Sequence, residues 1–327
     1  MHILITGAAG MIGRKLTARL VEAGELNGQT IDELTLIDLS GPQKPQKFSG
    51  TVNTAAADIG DPATAPAGVA GRPDVIFHLA AIVSGEAELD FEKGTRVNLD
   101  GSRALLEAIR KCGDGYRPRL VFTSSIAVFG APFPDTIADD FHSTPLTSYG
   151  TQKAIVELLL ADYTRRGFVD AVGIRLPTIS VRPGRPNKAA SGFFSSIVRE
   201  PLAGAEAVLP VEESVTHWHA SPRSAVGFLV HAAGLQSEKL GPRVNLTMPG
   251  VCCTVAEQIA ALRRIAGDKV AARIRRAPDP LVARIVAGWP RRFDPRRALA
   301  LGFRAETSFD EIIRVHIEDE LAGKIAA

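Results

Sequence analysis

Tyr149 and Lys153 stand four residues apart in SYGTQKAIVELLL, a stretch with helical spacing. Four residues place them on one face of a helix. A free tyrosine ionises near pH ~10 and is a poor base at neutral pH. A lysine ammonium one turn away favours the phenolate, and a bound oxidised nicotinamide ring favours it further. The same lysine can donate to the ribose hydroxyls next to that ring. Ser125 sits at the mouth of the preceding apolar run, RLVFTSS, where it can hydrogen-bond a substrate oxygen. Together they make a base, its activator and an orienting donor. A tyrosine and a lysine at this spacing also occur by chance as a surface pair. With three tyrosines in the chain, and this one following a strand that ends Thr-Ser-Ser, the chemical reading is preferred.

Such a set needs a sheet to hold it and a cofactor to accept electrons. The chain opens with MHILITGAAGMIG. The run Ile3-Leu4-Ile5 predicts a buried strand, and Gly7, Gly10 and Gly13 a tight turn into the helix that carries Leu16 and Leu20. Strand, glycine turn and helix start form a pyrophosphate site, because the helix N-terminus offers unpaired N–H groups and a positive dipole end. The alternative is a tight turn with no ligand. A second strand, Leu34–Ile37, ends at Asp38. A carboxylate there accepts from both ribose hydroxyls of an adenosine and repels a 2′-phosphate, which favours NAD over NADP. It can equally cap a turn. Strands are expected at Thr51–Ala55, Asp74–Ala81, Arg119–Thr123 and Ala171–Leu176. Asp58-Ile59 follows the third and can meet an adenine edge. Leu79-Ala80-Ala81 ends the fourth in small residues, which suits a cofactor passing close by. His78 is read as a core histidine. A long helix is expected over 86–111, with Asn98 inside it either holding backbone groups near a site or lying on the surface. Strands alternating with helices predict an α/β fold around a doubly wound parallel sheet.

Composition narrows the class. The 327 residues carry a net charge of +2, with 45% hydrophobic and 23% charged residues. Nothing in that balance calls for nucleic acid or an anionic membrane. Three cysteines without metal spacing predict no metal site and a reducing, cytoplasmic setting. No apolar run is long enough to span a bilayer.

TGAAGMIG, Asp38, HLAA, Asn98, SSIAVFG and YGTQK, in this order and spacing, resemble the extended branch of the short-chain dehydrogenase/reductase family, of epimerase/dehydratase type. The resemblance covers nearly the whole chain. It implies a Rossmann domain over 1–177 and a smaller C-terminal substrate-binding lobe over 178–327, with segments returning to the sheet. It implies NAD on Gly7, Gly10, Met11, Ile12 and Gly13, with Asp38 on the adenosine ribose and Asp58 and Ile59 at the adenine. Leu79, Ala80, Ala81, Asn98 and Leu176 would line the cofactor beside Tyr149 and Lys153. Ser125, Tyr149 and Lys153 would be the catalytic set. The family also implies a homodimer, through helices 86–111 and 148–166. Two departures weigh against nucleotide-sugar chemistry. Phe129 stands where such members usually carry tyrosine, and HWHASPR (217–223) replaces an Arg-Asp-Tyr-Ile-His type segment.

The second half should supply the substrate lobe. Pro177-Thr178 can meet a cofactor carboxamide or the substrate. The following VRPGRPNK is rich in proline and positive charge, and its arginines, Arg182 first, can clamp a carboxylate or lie in solvent. Ser191–Phe194 begins a helix that can line the pocket. Thr254 with Glu257, and Ser308 with Glu311, read as capping boxes. Trp289–Asp294 is a structural anchor or a substrate contact. RLPTISVRPGRPNKAASGFFSS and WPRRFDPRRALALGF resemble members that oxidise the C2 hydroxyl of a small sugar acid. Two other functions stay open, a nucleotide-sugar epimerase or dehydratase that recycles NAD, and a non-enzymatic NAD(H)-binding regulator.

Overall fold

The computed structural model describes residues 1–184 and 191–326. In its first half, β1 (His2–Thr6) leads into α1 (Met11–Ala23), followed by β2 (Glu33–Asp38), β3 (Thr51–Ala56) and β4 (Val75–His78). Next come α2 (Gly101–Lys111), β5 (Arg119–Ser125), α3 (Ser148–Arg165) and β6 (Asp170–Leu176). In the second half lie β7 (Thr178–Ile179), α4 (Gly192–Leu202), β8 (Thr216–Ala220), α5 (Pro222–Ala233), β9 (Asn245–Thr247), β10 (Val251–Thr254), α6 (Val255–Ala266) and α7 (Phe309–Leu321).

Seven parallel strands form the main sheet, in the order β9-β6-β5-β4-β1-β2-β3. Ile3, Leu4 and Ile5 are fully buried, as a strand covered on both faces must be. Leu16, Leu20, Phe228 and Leu229 of α1 and α5 cover one face. Leu105, Ile109, Val156 and Leu160 of α2 and α3 cover the other. Strand order reverses between β1 and β4, so the crevice at their C-terminal ends is where an open α/β sheet takes its ligand.

The lobe has its own core of Phe194, Ile197, Ile259, Leu262, Ile312 and Ile313. Its three-stranded sheet runs β7-β8-β10. Because β7 starts two residues after β6 ends, the lobe grows directly from the C-terminal edge of the main sheet. Segments of the second half also return to the first: β9 pairs with β6, and Lys15 of α1 forms ion pairs with Asp319 and Glu320 of α7.

The expected long helix over 86–111 is broken. Short helices Ser84–Leu89 and Phe91–Gly94 meet at Asp90, whose carboxylate accepts from the Lys93 N–H at 3.0 Å and starts a new helix. A π-helical turn, Thr95–Asp100, follows before α2. The apolar stripe that suggested one helix, Val97, Leu105, Leu106 and Ile109, lies wholly after Asp90 and does not reveal the first joint. Among the described residues no helix is long and apolar enough to cross a membrane.

Candidate active site

The glycine loop is shaped by contact rather than by flexibility. Gly7 has φ +76°, and a Cβ there would lie 2.7 Å from the Ala80 nitrogen. A Cβ on Gly13 would overlap the Gly7 carbonyl oxygen. Gly10 is the N-cap of α1, with no side-chain cap and no acidic residue in the first turn. The leading N–H groups of α1, including those of Met11, Ile12 and Gly13, therefore have no intrahelical partner and open to the crevice. Asp38 ends β2 beside the loop: its Oδ2 accepts from the Ala9 N–H and its Oδ1 from the Ser40 N–H, both at 3.0 Å. An uncapped helix start, a backbone cradle with no room for a Cβ and a carboxylate beside it suit the pyrophosphate and ribose of a dinucleotide.

Other residues expected at the cofactor divide into two groups. Leu79, Ala81 and Leu176 line the cleft, and Ala80 is the residue packed on Gly7. Asp58, Ile59 and Asn98 do not line it. Asp58 accepts from the Gly60 N–H at 2.8 Å and from Arg96 at 2.7 Å, and the guanidinium and amide hold its carboxyl below the usual range against the opposing effect of burial. Ile59 is buried with its carbonyl against Gly101. Asn98 is 1% exposed, so the surface alternative does not hold. Its Oδ1 accepts from the Ile82 N–H at 2.9 Å, and its Nδ2 donates to the Ile82 carbonyl and to Gln152. It thus sits behind the wall and holds Ile82, which lines the cleft. His78 is a core residue: its ring joins the Thr6 hydroxyl at 2.7 Å and the Ser102 hydroxyl at 2.9 Å.

Ser125, Tyr149 and Lys153 meet in the same cleft. Ser125 ends β5, and its Oγ accepts from the Ala127 N–H at 3.1 Å. Thr147 caps α3, which puts Tyr149 in the first turn and Lys153 in the second. Lys153 is 2% exposed, and its Nζ donates to the Thr123 carbonyl at 2.8 Å. One turn on, Glu157 is buried in a bidentate pair with Arg175 (2.9 and 2.6 Å) and accepts from the Ser124 hydroxyl at 2.5 Å. Burial pushes Tyr149 up to about 12, while the Ser125 hydroxyl and Arg182 beside it oppose the shift. Burial also pulls Lys153 down to about 7, against the attraction of Glu157. Both shifts disfavour the charged forms, so a phenolate needs further positive charge in the cleft.

Residues of the lobe form the opposite wall. Arg182 is tied down by its Nε to the Ile179 carbonyl (3.0 Å) and its Nη2 to Ser191 (2.6 Å). Among the described residues it has no carboxylate partner. Thr178, Ser191, His217 and Trp289 line the cleft with it. Phe129 also faces the cleft, with the Arg175 guanidinium 4.9 Å above its ring. Arg185 and Lys188, the other cations of that segment, lie outside the described residues. His217 is a wall residue to which sequence reasoning gave no role, and Trp289, read there as a structural anchor or a substrate contact, lines the cleft. The signal for His217 was the HWH run where nucleotide-sugar members carry a different segment. Of the two expected capping boxes, Thr254 and Glu257 form one in full. Ser308 accepts from the Glu311 N–H, but Glu311 bonds back to Thr307 instead.

Residues 3–220 match the NAD dependent epimerase/dehydratase family. This chain belongs to that family. Two relatives are named D-erythronate dehydrogenase. The one from Cupriavidus necator is 49% identical, over 98% of each chain. The one from Haemophilus influenzae is 40% identical, over 98% of this chain and all of the relative. A crystal structure described as a nucleoside-diphosphate-sugar epimerase from Agrobacterium tumefaciens is 64% identical, with a TM-score of 0.98 over 100% of this chain and 96% of that one. Family and relatives make this chain an NAD-dependent dehydrogenase with a Rossmann-type fold, which removes the non-enzymatic regulator from consideration. The crevice residues fit NAD on their own geometry.

Proposed function

We propose that the enzyme oxidises the C2 hydroxyl of a small sugar acid, D-erythronate, to the 2-oxo acid. The observation that carries this is Arg182, a cation in the wall opposite Tyr149 that has no described carboxylate partner. NAD, when bound, supplies the hydride acceptor and a positive ring. Tyr149 takes the hydroxyl proton. Lys153 stabilises the phenolate and would hold the ribose hydroxyls of the bound cofactor. Ser125 donates to the reacting oxygen, and Arg182 holds the carboxylate. The names of the two curated relatives support the substrate.

The Agrobacterium protein, described as a nucleoside-diphosphate-sugar epimerase, favours a second reading, a nucleotide-sugar epimerase with recycled NAD. The cleft is about 400 Å³ and must also hold the nicotinamide end of the cofactor, which favours a small substrate. The readings separate in one assay. Purified enzyme with NAD and D-erythronate should raise the NADH absorbance, and no rise would remove the erythronate reading. Turnover of a nucleotide sugar with no net NADH would establish the other.

We also infer that the chain acts as a homodimer. Leu158 of α3 is 73% exposed, and Ile155, three residues earlier, is exposed with it. Leu89 and Phe91, from the broken helical segment before α2, are exposed as well.

A further inference from the structure

The Thr178 hydroxyl bonds to Nε2 of His217 at 2.7 Å, and both residues line the cleft. His217 is 2% exposed. Its ring lies parallel to Phe194 (centroids 5.1 Å apart, planes within 3°) and 5.3 Å from Trp289, with His219 edge-on at 5.4 Å. Turning the ring over would cost the Nε2 bond to Thr178. Its Nδ1 is buried and makes no hydrogen bond of normal geometry, but the Pro290 carbonyl is close enough to favour a proton on the ring. A carbonyl only accepts, so Nδ1 carries the proton and Nε2 presents a lone pair. Burial, helped by Arg182, keeps the second proton off, lowering the ring to about 4. With the one hydroxyl proton of Thr178 committed to Nε2, its oxygen, in a residue that lines the cleft, has only lone pairs left to offer.

We infer that His217 fixes Thr178 as a hydrogen-bond acceptor for a substrate hydroxyl, so that the pair selects a polyhydroxy acid over a deoxy acid. This rests on the small sugar-acid reading and adds to it which polar group the lobe demands beyond the carboxylate. An oriented acceptor cannot serve a carboxylate or a carbonyl. Arg182 takes the acid, and Thr178 takes a donor further along the chain. A buried acceptor left without its donor is penalised, which turns one hydrogen bond into discrimination. His217 touches no reacting atom in this scheme and is a positioning residue.

Two measurements test the pair. Long-range 1H–15N spectra of labelled enzyme, with and without NAD and with the His217 ring assigned by its loss in His217→Gln, should show the neutral Nδ1–H tautomer with no titration between about pH 5.5 and 8. An Nε2–H tautomer, or a midpoint in that range, overturns the inference. The second measurement compares kcat/KM for 2,3,4-trihydroxybutanoate and 2-hydroxybutanoate. The wild-type preference should be about 100-fold. Thr178→Val and His217→Phe, the latter keeping the aromatic stack, should each cut that ratio about tenfold, chiefly through KM for the hydroxylated acid. His217→Gln, which restores an acceptor, should recover it. Equal losses on both acids in Thr178→Val and His217→Phe would reduce the pair to a structural role and overturn the inference. If wild-type enzyme oxidises neither acid, the substrate reading falls, and the tautomer measurement still decides whether Thr178 is held as an acceptor.

Discussion

Nζ of Lys153 lies 5.7 Å from the centroid of the Tyr149 ring, anchored by its bond to the Thr123 carbonyl. When protonated, a lysine so placed favours the phenolate electrostatically without forming a salt bridge in the resting protein. Tyr149→Phe should therefore lower kcat by about 10³-fold while NAD still binds. The base must be deprotonated to act, so the rate rises with pH. Removing the cation in Lys153→Met should move that rise upward by about one pH unit or more. A pH profile of kcat/KM checks this, and an unmoved midpoint would confine Lys153 to holding the cofactor.

Arg182 should act on binding more than on chemistry. Its guanidinium is already fixed by Ile179 and Ser191, so little ordering remains when a carboxylate docks. Arg182→Lys keeps a charge but loses the planar fork, and should raise KM about tenfold with a smaller change in kcat. Arg182→Leu should raise KM about 100-fold, from the loss of a charge-assisted pair. Steady-state kinetics on the sugar acid separate the two, and an unchanged KM in both variants would place the carboxylate elsewhere.

Asp38 should set cofactor choice. Its carboxylate is steadied by the Ala9 and Ser40 amides at the end of β2. Asp38→Ala should lower kcat/KM for NAD about tenfold or more and narrow the gap to NADP, since repulsion of a 2′-phosphate disappears. The ratio of the two cofactors measures it. A ratio equal to that of the wild type would assign Asp38 to the loop structure alone.

His78 makes stability depend on pH. Burial lowers its ring to about 3, against 6.5 in an unfolded chain. Between those values the unfolded state binds one more proton than the folded state. Stability is therefore full above pH ~6.5 and is lost as pH falls, by about 1.4 kcal/mol per pH unit from this group. His217 is lowered by burial in the same direction, so losses add. His78→Gln should reduce the slope between pH 6 and 5 by about 1.4 kcal/mol per unit. Urea titrations at the two pH values read it, and an identical slope would mean that His78 is not neutral in the fold.

The exposed apolar residues of α3 predict the assembly state. Leu158→Arg should convert a homodimer into a 34.8 kDa monomer on size-exclusion chromatography with light scattering. A wild-type protein that already runs as a monomer would dismiss the dimer.

Much of the site was legible along the chain because its parts are local. A strand, three glycines at fixed spacing and a helix start make an anion cradle within thirteen residues. Tyr149 and Lys153 share a face by helical geometry alone. Asp90 is the contrary case. A single capping side chain splits the helix expected over 86–111, and the apolar residues that flank the split, Leu89 and Phe91, are exposed.

What the order of residues determined by itself was the sheet, the cofactor and the gathering of Ser125, Tyr149 and Lys153 in one cleft, since each depends on contacts a few residues long or on strand ends that a parallel sheet must bring together. What only the tertiary structure decided was the far wall of the cleft. Arg182, His217 and Trp289 come from three separate segments of the lobe, and no periodicity relates them. Their meaning lies in partners rather than in residue type: a guanidinium with no described carboxylate, and an imidazole bonded to the hydroxyl of a cleft-lining threonine. Asn98 shows the same limit from the other side. Its position was noticed in the sequence, but only packing put it behind Ile82, because burial and hydrogen-bond partners depend on what the rest of the chain brings near.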